Sequence, residues 1–320
     1  MRKVNFAVII GIMLSCIGFF SVEARAEKRI GIFMFSEEVR YLDAATAFKA
    51  RLAEAGFGEN KVTYFTENAA GNKMRAAEVV KKFAAQKFDL ILSLGTSASV
   101  PLCREIKDVP IVFSVVYDPV DAGITQSWKS SGNNTTGSST LVPMPKLMEI
   151  LKKFAPVKRM AVLYTPGEKN SETQLRELQK LENTAMIKVI PVRLTKKEEV
   201  ELLLPEVLRS ADSMYITGSN LVNSQIQSIV DMSTKAKVVT ITHLEDLIAK
   251  GVLLGVIADS HDLGYLAGDK GIKILKGAKP SSIPIEIAKT NSVLLNMKSA
   301  KKGAYTITPE FMKIVTKKVE

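Results

Sequence analysis

Residues of the types that build catalytic and metal sites are scarce in this sequence. Among its 320 residues there are two cysteines, two histidines and one tryptophan. Cys16 lies in an apolar N-terminal segment, which leaves Cys103 as the one cysteine in the rest of the chain. A single cysteine forms no internal disulfide, so the fold must depend on its hydrophobic core.

Motifs for nucleotide hydrolysis and dinucleotide binding are also missing. Segment 132–138 has the glycine spacing of a phosphate-binding loop but lacks the lysine that such loops need. No Gly-x-Gly-x-x-Gly motif opens the first predicted helix. The His-Leu-Glu sequence at 243–245 lacks the cysteine motif of a zinc deaminase, and 259–261 is too short a cluster to define a metal site. We therefore predict no cofactor, no bound metal and no enzymatic activity.

The N-terminus has the pattern of a secretory signal peptide. Two basic residues precede an apolar run at 4–20, and a small-x-small cleavage site follows at 24–26. The run is shorter than the ~20 residues that a membrane span needs. We expect residues 1–26 to be a signal peptide and the protein to be periplasmic. The alternative is a lipid anchor at Cys16, because the segment ending there loosely resembles a lipoprotein processing box.

Positive charge is abundant but scattered. The formal net charge is +11, and removal of the predicted signal peptide leaves +9. Such a charge can attract an anionic ligand or partner surface. The lysines are not interleaved with aromatic residues as a nucleic-acid groove would require, so they fit solvated helix faces better. We predict no nucleic-acid partner.

Strand-like and helix-like segments alternate after the leader. The short apolar run 28–35 is followed by segment 37–55, whose apolar residues have helical spacing and which ends at a glycine. This alternation predicts parallel strands with helices on both faces of a sheet. The pattern restarts at 158–163, which echoes 28–33, and a polar stretch at 130–140 lies between the two halves. The chain is therefore predicted to contain two similar α/β units.

The loop after the third predicted strand is a candidate ligand site. Ligands of open parallel sheets bind beyond the carboxyl ends of the strands, and two facing sheets would form a cleft there. Thr96, Ser97 and Ser99 surround the start of a predicted helix. Their hydroxyls and the free backbone N–H groups could hold a carboxylate or another anion. The alternative is that the hydroxyls only cap the helix.

A series of short motifs, in order along the chain, resembles one protein family. The motifs lie at 118–120 (Asp-Pro-Val), 134–137 (Asn-Thr-Thr-Gly), 162–166, 274–280 and 300–303. They resemble a branch of the ABC-transporter substrate-binding proteins that includes tryptophan- and tyrosine-binding members. The series extends across nearly the whole chain after residue 26.

The resemblance implies a type 1 periplasmic-binding fold. In this α/β fold, two doubly wound parallel-sheet lobes are joined by a three-crossing hinge and close on a ligand. The implied boundaries are 27–139 plus 260–289 for lobe 1, and 140–259 plus 290–320 for lobe 2.

The resemblance also implies roles for hydroxyl and aromatic side chains. Thr96 and Ser97 would hold the carboxylate of the ligand, in agreement with the anion site expected after the third strand. Tyr117 and Tyr164 would stack on an aromatic or cationic ligand. For Tyr164 the alternative role is core packing.

Four further polar residues are implied to bind the ligand. They are Asp118, Glu168, Asn170 and Asp259. A carboxylate among them would pair with a ligand ammonium group, because a buried cation needs an opposite charge. For Asp118 and Asp259 the alternative roles are turn formation and hydrogen bonding at the hinge.

The predicted function is that of the extracytoplasmic solute-binding component of an ABC importer. We expect a monomer that captures a small ligand, such as an aromatic or another amino acid, and delivers it to a membrane permease. One alternative is an exported sensor that hands its liganded form to a receptor. The other is an exported α/β hydrolase, for which the fold would have to bring Ser97 and His261 together.

Overall fold

The computed structural model describes residues 27–320. The predicted signal peptide, and with it the alternative lipid anchor at Cys16, lies outside the described residues. Within 27–320, no helix is both long enough and apolar enough to cross a bilayer. Cys103 is free and buried, and its burial raises the pKa of its thiol to about 12.

The secondary-structure elements follow one another in two α/β runs and a C-terminal part. The first run is β1 (Lys28–Met34), α1 (Val39–Glu54), β2 (Val62–Asn68), α2 (Lys73–Ala84), β3 (Leu90–Leu94), α3 (Thr96–Glu105), β4 (Ile111–Val116) and β5 (Thr135–Ser139). The second run is α4 (Met144–Phe154), β6 (Arg159–Tyr164), α5 (Lys169–Lys180), α6 (Glu182–Ala185), β7 (Lys188–Arg193), α7 (Glu198–Ser210), β8 (Ser213–Ile216), α8 (Asn220–Ser224), α9 (Ile226–Lys235), β9 (Val239–Thr242), α10 (Glu245–Ala249) and β10 (Leu254–Ile257). The C-terminal part is α11 (Ser260–Leu275), a 3-10 helix (Pro280–Ser282), β11 (Glu286–Ile287), β12 (Ser292–Asn296), α12 (Met297–Lys302), α13 (Pro309–Met312) and β13 (Lys317–Val319).

The strands form two separate sheets. The first has the order β11-β5-β4-β3-β1-β2, and all of its strand pairs are parallel. The second has the order β13-β12-β10-β9-β8-β6-β7 and is parallel from β10 to β7. β12 pairs antiparallel with β10, and β13 runs alongside β12. The predicted fold class, with two parallel-sheet lobes, is confirmed, and the reversed pair β12–β13 is added to one edge.

The chain passes from one sheet to the other three times. It crosses between β5 and α4, between β10 and α11, and between β11 and β12. α11 returns to the first sheet and packs mainly on α1. We use lobe 1 and lobe 2 for the units built on the first and second sheets. Their predicted boundaries, at 139/140, 259/260 and 289/290, stay a prediction.

Burial explains why the central strands could be recognised as apolar runs. Every residue of β3 and β4 is buried, as expected of parallel strands that are covered by helices on both faces. α1 buries Ala44, Phe48 and Leu52, which share one face at four-residue spacing. The predicted helix and its sheet-facing side are therefore correct.

β5 is a strand for which the sequence gives no apolar signal. It lies in the polar stretch between the two halves, yet all five of its residues are buried. The hydroxyl of Thr136 donates to the carbonyl of Ile283 at 2.8 Å, and that of Ser138 lies 2.8 Å from the carbonyl of Leu263. These hydrogen bonds offset the desolvation of the buried hydroxyls, so a polar segment can occupy the interior.

Candidate ligand-binding site

A cleft of about 1020 Å³ lies between the two lobes. Its walls include residues that closely follow the ends of four strands. These are Phe35 and Ser36 after β1, Thr96 and Ser97 after β3, Thr165 after β6, and Asn220 after β8. Parallel sheets bind ligands at these carboxyl ends. The volume is at the upper end of the range for small-molecule sites, which is roughly 300–1,000 Å³.

Gly95 shapes the loop that presents α3 to the cleft. Its φ is +85°, and an added Cβ would overlap the hydroxyl of Tyr41, so a side chain does not fit here. Gly95 is also the N-cap residue of α3, and no side chain caps this helix. The alternative in which the hydroxyls only cap the helix is therefore wrong. The N–H groups of its first turn stay available for a ligand.

Thr96 and Ser97 both line the cleft, whereas Ser99 does not. Ser99 is fully buried, and its hydroxyl lies 2.9 Å from both Ser93 Oγ and Gly95 O. Ser97 Oγ accepts a hydrogen bond of 2.9 Å from the Nδ2 of Asn220, which belongs to lobe 2. A hydrogen bond therefore crosses the cleft at the start of α3.

Glu168 lies on the lobe 2 wall of the cleft, directly before α5. Its Oε2 accepts from the backbone N–H of Asn220 at 2.7 Å and from Asn220 Nδ2 at 2.9 Å. Ser219 Oγ lies 3.4 Å from Oε1. Burial raises the pKa of Glu168, and the hydrogen bonds from Asn220 act in the opposite direction. The same asparagine amide thus touches both Glu168 and Ser97.

The two predicted tyrosines pack in the core of lobe 2 and are not among the residues that line the cleft. Tyr117 is 2% exposed, donates its hydroxyl to the carboxylate of Glu177, and has its ring edge-on to His243. Burial raises the pKa of Tyr117 well above its usual value. Tyr164 is partly buried at the end of β6. Ligand stacking by either residue stays a prediction.

Asp118 and Asn170 hold loops near the cleft. Asp118 Oδ1 accepts from the backbone N–H groups of Val120 at 2.9 Å and Asp121 at 3.0 Å, which forms a turn after β4. Asn170 Nδ2 donates to the carbonyl of Gly218 at 2.6 Å and so fixes the loop after β8. Neither is among the residues that line the cleft, and their ligand contacts stay a prediction.

Asp259 lies at the second crossing between the lobes. Its side chain caps α11 by accepting from the N–H of Asp262 at 3.0 Å. Ligand atoms of Asp259, His261 and Asp262 lie within 4.8 Å of one another, but His261 and Asp262 are exposed. The grouping lies at the capped start of α11, and the prediction that no metal is bound stays a prediction. Asp259 is not among the residues lining the cleft.

Beyond Ser97 and Asn220, charged side chains also join the two lobes. Arg40 at the start of α1 donates to Asp246 on α10 at 2.7 Å, with side chains 4% and 2% exposed. Lys250 lies 3.3 Å from Glu38 beside this pair. Arg176 on α5 contacts Asp121, on the loop after β4. The lobes are therefore in direct contact around the cleft.

The described sequence matches a family model almost from end to end. That model, for ABC transporter substrate binding protein, matches residues 29–319. The chain belongs to this family. It is 26% identical over 277 residues to a tyrosine-binding protein of Clostridioides difficile (strain R20291), covering 86% of this chain and 80% of the relative.

Two solved structures of other proteins share the fold of this substrate-binding protein, one with a ligand bound and one ligand-free. An ABC domain from Streptococcus pneumonia in complex with L-Trp has a TM-score of 0.87 at 25% identity, covering 92% of this chain and 100% of that one. The ligand-free, open structure of a Clostridium difficile substrate-binding protein with adhesive properties has a TM-score of 0.72 at 27% identity, with the same coverage. The chain as a whole therefore superposes more closely on the L-Trp complex than on the ligand-free, open structure.

Asn220 lines the cleft of this substrate-binding protein, and the sequence interpretation missed it. It follows Gly218 and Ser219 after β8, the third strand of the second α/β run. Gly95, Thr96 and Ser97 hold the matching place after β3, the third strand of the first run. The internal repeat was therefore a signal that could have located Asn220.

Proposed function

We propose that this protein is the extracytoplasmic component of an ABC importer that captures an aromatic amino acid and delivers it to a membrane permease. Family membership supports substrate binding, and relatives named for tyrosine binding or solved with L-Trp support the ligand class. The protein would be an exported monomer that closes its lobes on the ligand and leaves it chemically unchanged.

The observation that carries this proposal is the cleft between strand ends of both lobes. The uncapped start of α3, with Thr96 and Ser97, offers donors to a carboxylate. Phe35, Val100 and Leu221 add apolar surface to the same cleft, as an aromatic side chain requires. The cleft therefore offers both kinds of contact that such a ligand needs.

Calorimetry with L-tryptophan and L-tyrosine tests the ligand class. We expect the wild type to bind at least one of them and Thr96→Val to lose about 10- to 100-fold in affinity, because a hydrogen bond to a charged group contributes roughly 1.5–3 kcal/mol. Thr46→Val is the matched control, since Thr46 is exposed on α1. A wild type that binds neither compound contradicts the proposal, and unchanged affinity in Thr96→Val contradicts the carboxylate site.

Uptake measurements test delivery to a permease separately. Cells that lack this protein are expected to take up labelled L-tryptophan or L-tyrosine more slowly from dilute medium. Unchanged uptake, combined with binding of the purified protein, would contradict the transport role and favour the sensor.

A further inference from the structure

Among the residues that the structure describes, Glu168 differs from the other buried charges in having no counter-ion. Within residues 27–320, four charged side chains are buried besides the neutral His243: Arg40, Asp246, Lys270 and Glu168. Arg40 and Asp246 pair at 2.7 Å, and Lys270 lies 3.4 Å from Glu286. In the same part of the chain, no basic side chain lies within ion-pair distance of Glu168. Lys73, which is exposed on lobe 1, reaches it only as a more distant charge.

The hydrogen bonds of Glu168 favour its ionised form. Hydrogen bonds donated to a carboxylate favour its charged form, and here both the N–H and the Nδ2 of Asn220 donate to Oε2, which opposes the upward shift of the pKa that burial causes. A buried charge without a partner is unfavourable, because hydrogen bonds from neutral groups replace only part of its hydration. Since Glu168 faces the cleft, a ligand cation can supply the missing positive charge.

The distances around Asn220 fit a ligand that carries both charges close together. Its Nδ2 lies 2.9 Å from Ser97 Oγ and 2.9 Å from Glu168 Oε2. Ser97 Oγ at the start of α3 and the buried carboxylate oxygen are therefore at most about two hydrogen-bond lengths apart. In an α-amino acid, one carbon separates the ammonium group from the carboxylate. Such a ligand can place its carboxylate at α3 and its ammonium group at Glu168.

We propose that Glu168 determines specificity by accepting a hydrogen bond from the ammonium group of the ligand. Asn220 positions the carboxylate of Glu168 for this contact. The cleft then selects aromatic compounds with a cationic amine over equally shaped compounds without one. This proposal rests on the proposed function and names the residue that recognises the amine. Neither Asp118 nor Asp259, whose carboxylates bind backbone N–H groups of their own loops, is needed for this contact.

Calorimetry with ligand pairs that differ only in the amine tests this proposal. The pairs are L-tyrosine with 3-(4-hydroxyphenyl)propionate, and L-tryptophan with indole-3-propionate. We expect the wild type to prefer the amine-bearing member by at least about 10- to 100-fold, as for a charge-assisted hydrogen bond. Glu168→Gln is expected to remove most of this preference, whereas Glu168→Asp keeps the charge and should retain part of it.

Glu206→Gln is the matched control, because it removes one carboxylate from the exposed face of α7. It should keep the wild-type preference. If Glu168→Gln does not fold, Asn220→Ala replaces it and is expected to weaken binding of the amine-bearing member more than that of its partner.

Each remaining outcome separates this proposal from the proposed function. A wild type that binds L-tyrosine or L-tryptophan without preferring the amine, or a Glu168→Gln variant that keeps the preference, overturns the role of Glu168 and leaves the function standing. Binding of tyramine or tryptamine, but of neither amino acid, supports amine recognition and overturns the amino-acid ligand. Binding of none of these compounds overturns both proposals.

Discussion

His243 lies fully buried between two polar side chains of lobe 2. Its Nδ1 is 2.8 Å from the hydroxyl of Tyr215, and its Nε2 is 3.2 Å from Gln174 Nε2. Gln174 Oε1 accepts from the N–H of Gly218, so its Nε2 is the group that donates to the imidazole. This network assigns the proton of a neutral His243 to Nδ1, which then donates to Tyr215.

Burial, together with the nearby charge of Arg40, lowers the pKa of His243 from 6.5 to about 3. An unfolded histidine takes up a proton as the pH falls through about 6.5, whereas folded His243 does so only near 3. The neutral, buried His243 therefore makes its full contribution to the free energy of unfolding at pH values above the pKa of the unfolded state. This contribution is lost on acidification by about 1.4 kcal/mol per pH unit between the two values.

Urea denaturation at pH 7.5 and at pH 4.5 tests the role of His243. Relative to wild type, His243→Gln is expected to lose about 2–3 kcal/mol less on acidification, because glutamine does not titrate. His261→Gln removes the other, exposed histidine and should behave as wild type. Equal losses in the wild type and both variants would show that His243 is not held neutral by the fold.

At the residue scale, position after a strand was the useful sequence signal. It led to Thr96 and Ser97, which line the cleft, whereas Glu168, which also lines it, was implied by the family resemblance. Other contacts depend on distant segments, as for Arg40 and Asp246, which are 206 residues apart. Such pairs leave no local pattern, so the sequence could not predict them.

The contact between α1 and α11 depends on small residues of α11, and Gly264 is the one closest to the α1 backbone. An added Cβ at Gly264 would overlap the backbone oxygen of Ala44, and backbone atoms cannot move aside as a side chain can. At Gly271, on the same helix, an added Cβ would meet the ring of Phe48 at 3.1 Å. A side chain at Gly264 would therefore have to displace the backbone of α1, whereas one at Gly271 would have to displace only a ring.

Gly264→Ala is expected to lower the free energy of unfolding by about 1–3 kcal/mol, because overpacking outweighs the better helix propensity of alanine. Gly271→Ala, the matched control, should cost less, since the Phe48 ring can shift and the gain in helix propensity is about 1 kcal/mol. Urea denaturation of both variants measures the difference. Equal effects would contradict the close approach of α11 to Ala44.

At the element scale, the buried apolar strands could be predicted from the sequence. A buried polar strand that hydrogen bonds stabilise could not. β3 and β4 lie between helix layers and are recognisable as apolar runs. β5 is equally buried but contains only hydroxyl residues and glycine. Two of its hydroxyls bond to carbonyls more than 120 residues away, which no local pattern reveals.

At the scale of the molecule, the doubled α/β pattern predicted two lobes but not their contacts. Ser97 with Asn220, and Arg40 with Asp246, join residues of different lobes. A ligand can stabilise this arrangement only through contacts that the separated lobes do not make. In the proposed function, the start of α3 and Glu168 provide such contacts, because they lie on opposite walls of the cleft.

Small-angle X-ray scattering of the purified protein, with and without L-tryptophan or L-tyrosine, tests closure on a ligand most directly. With a bound amino acid, the profile is expected to match that calculated for residues 27–320 of this structure. Without ligand, the radius of gyration should be larger, because the lobes separate and the charged pairs between them become solvated. Identical profiles in the two conditions, under calorimetrically verified saturation, would contradict the account.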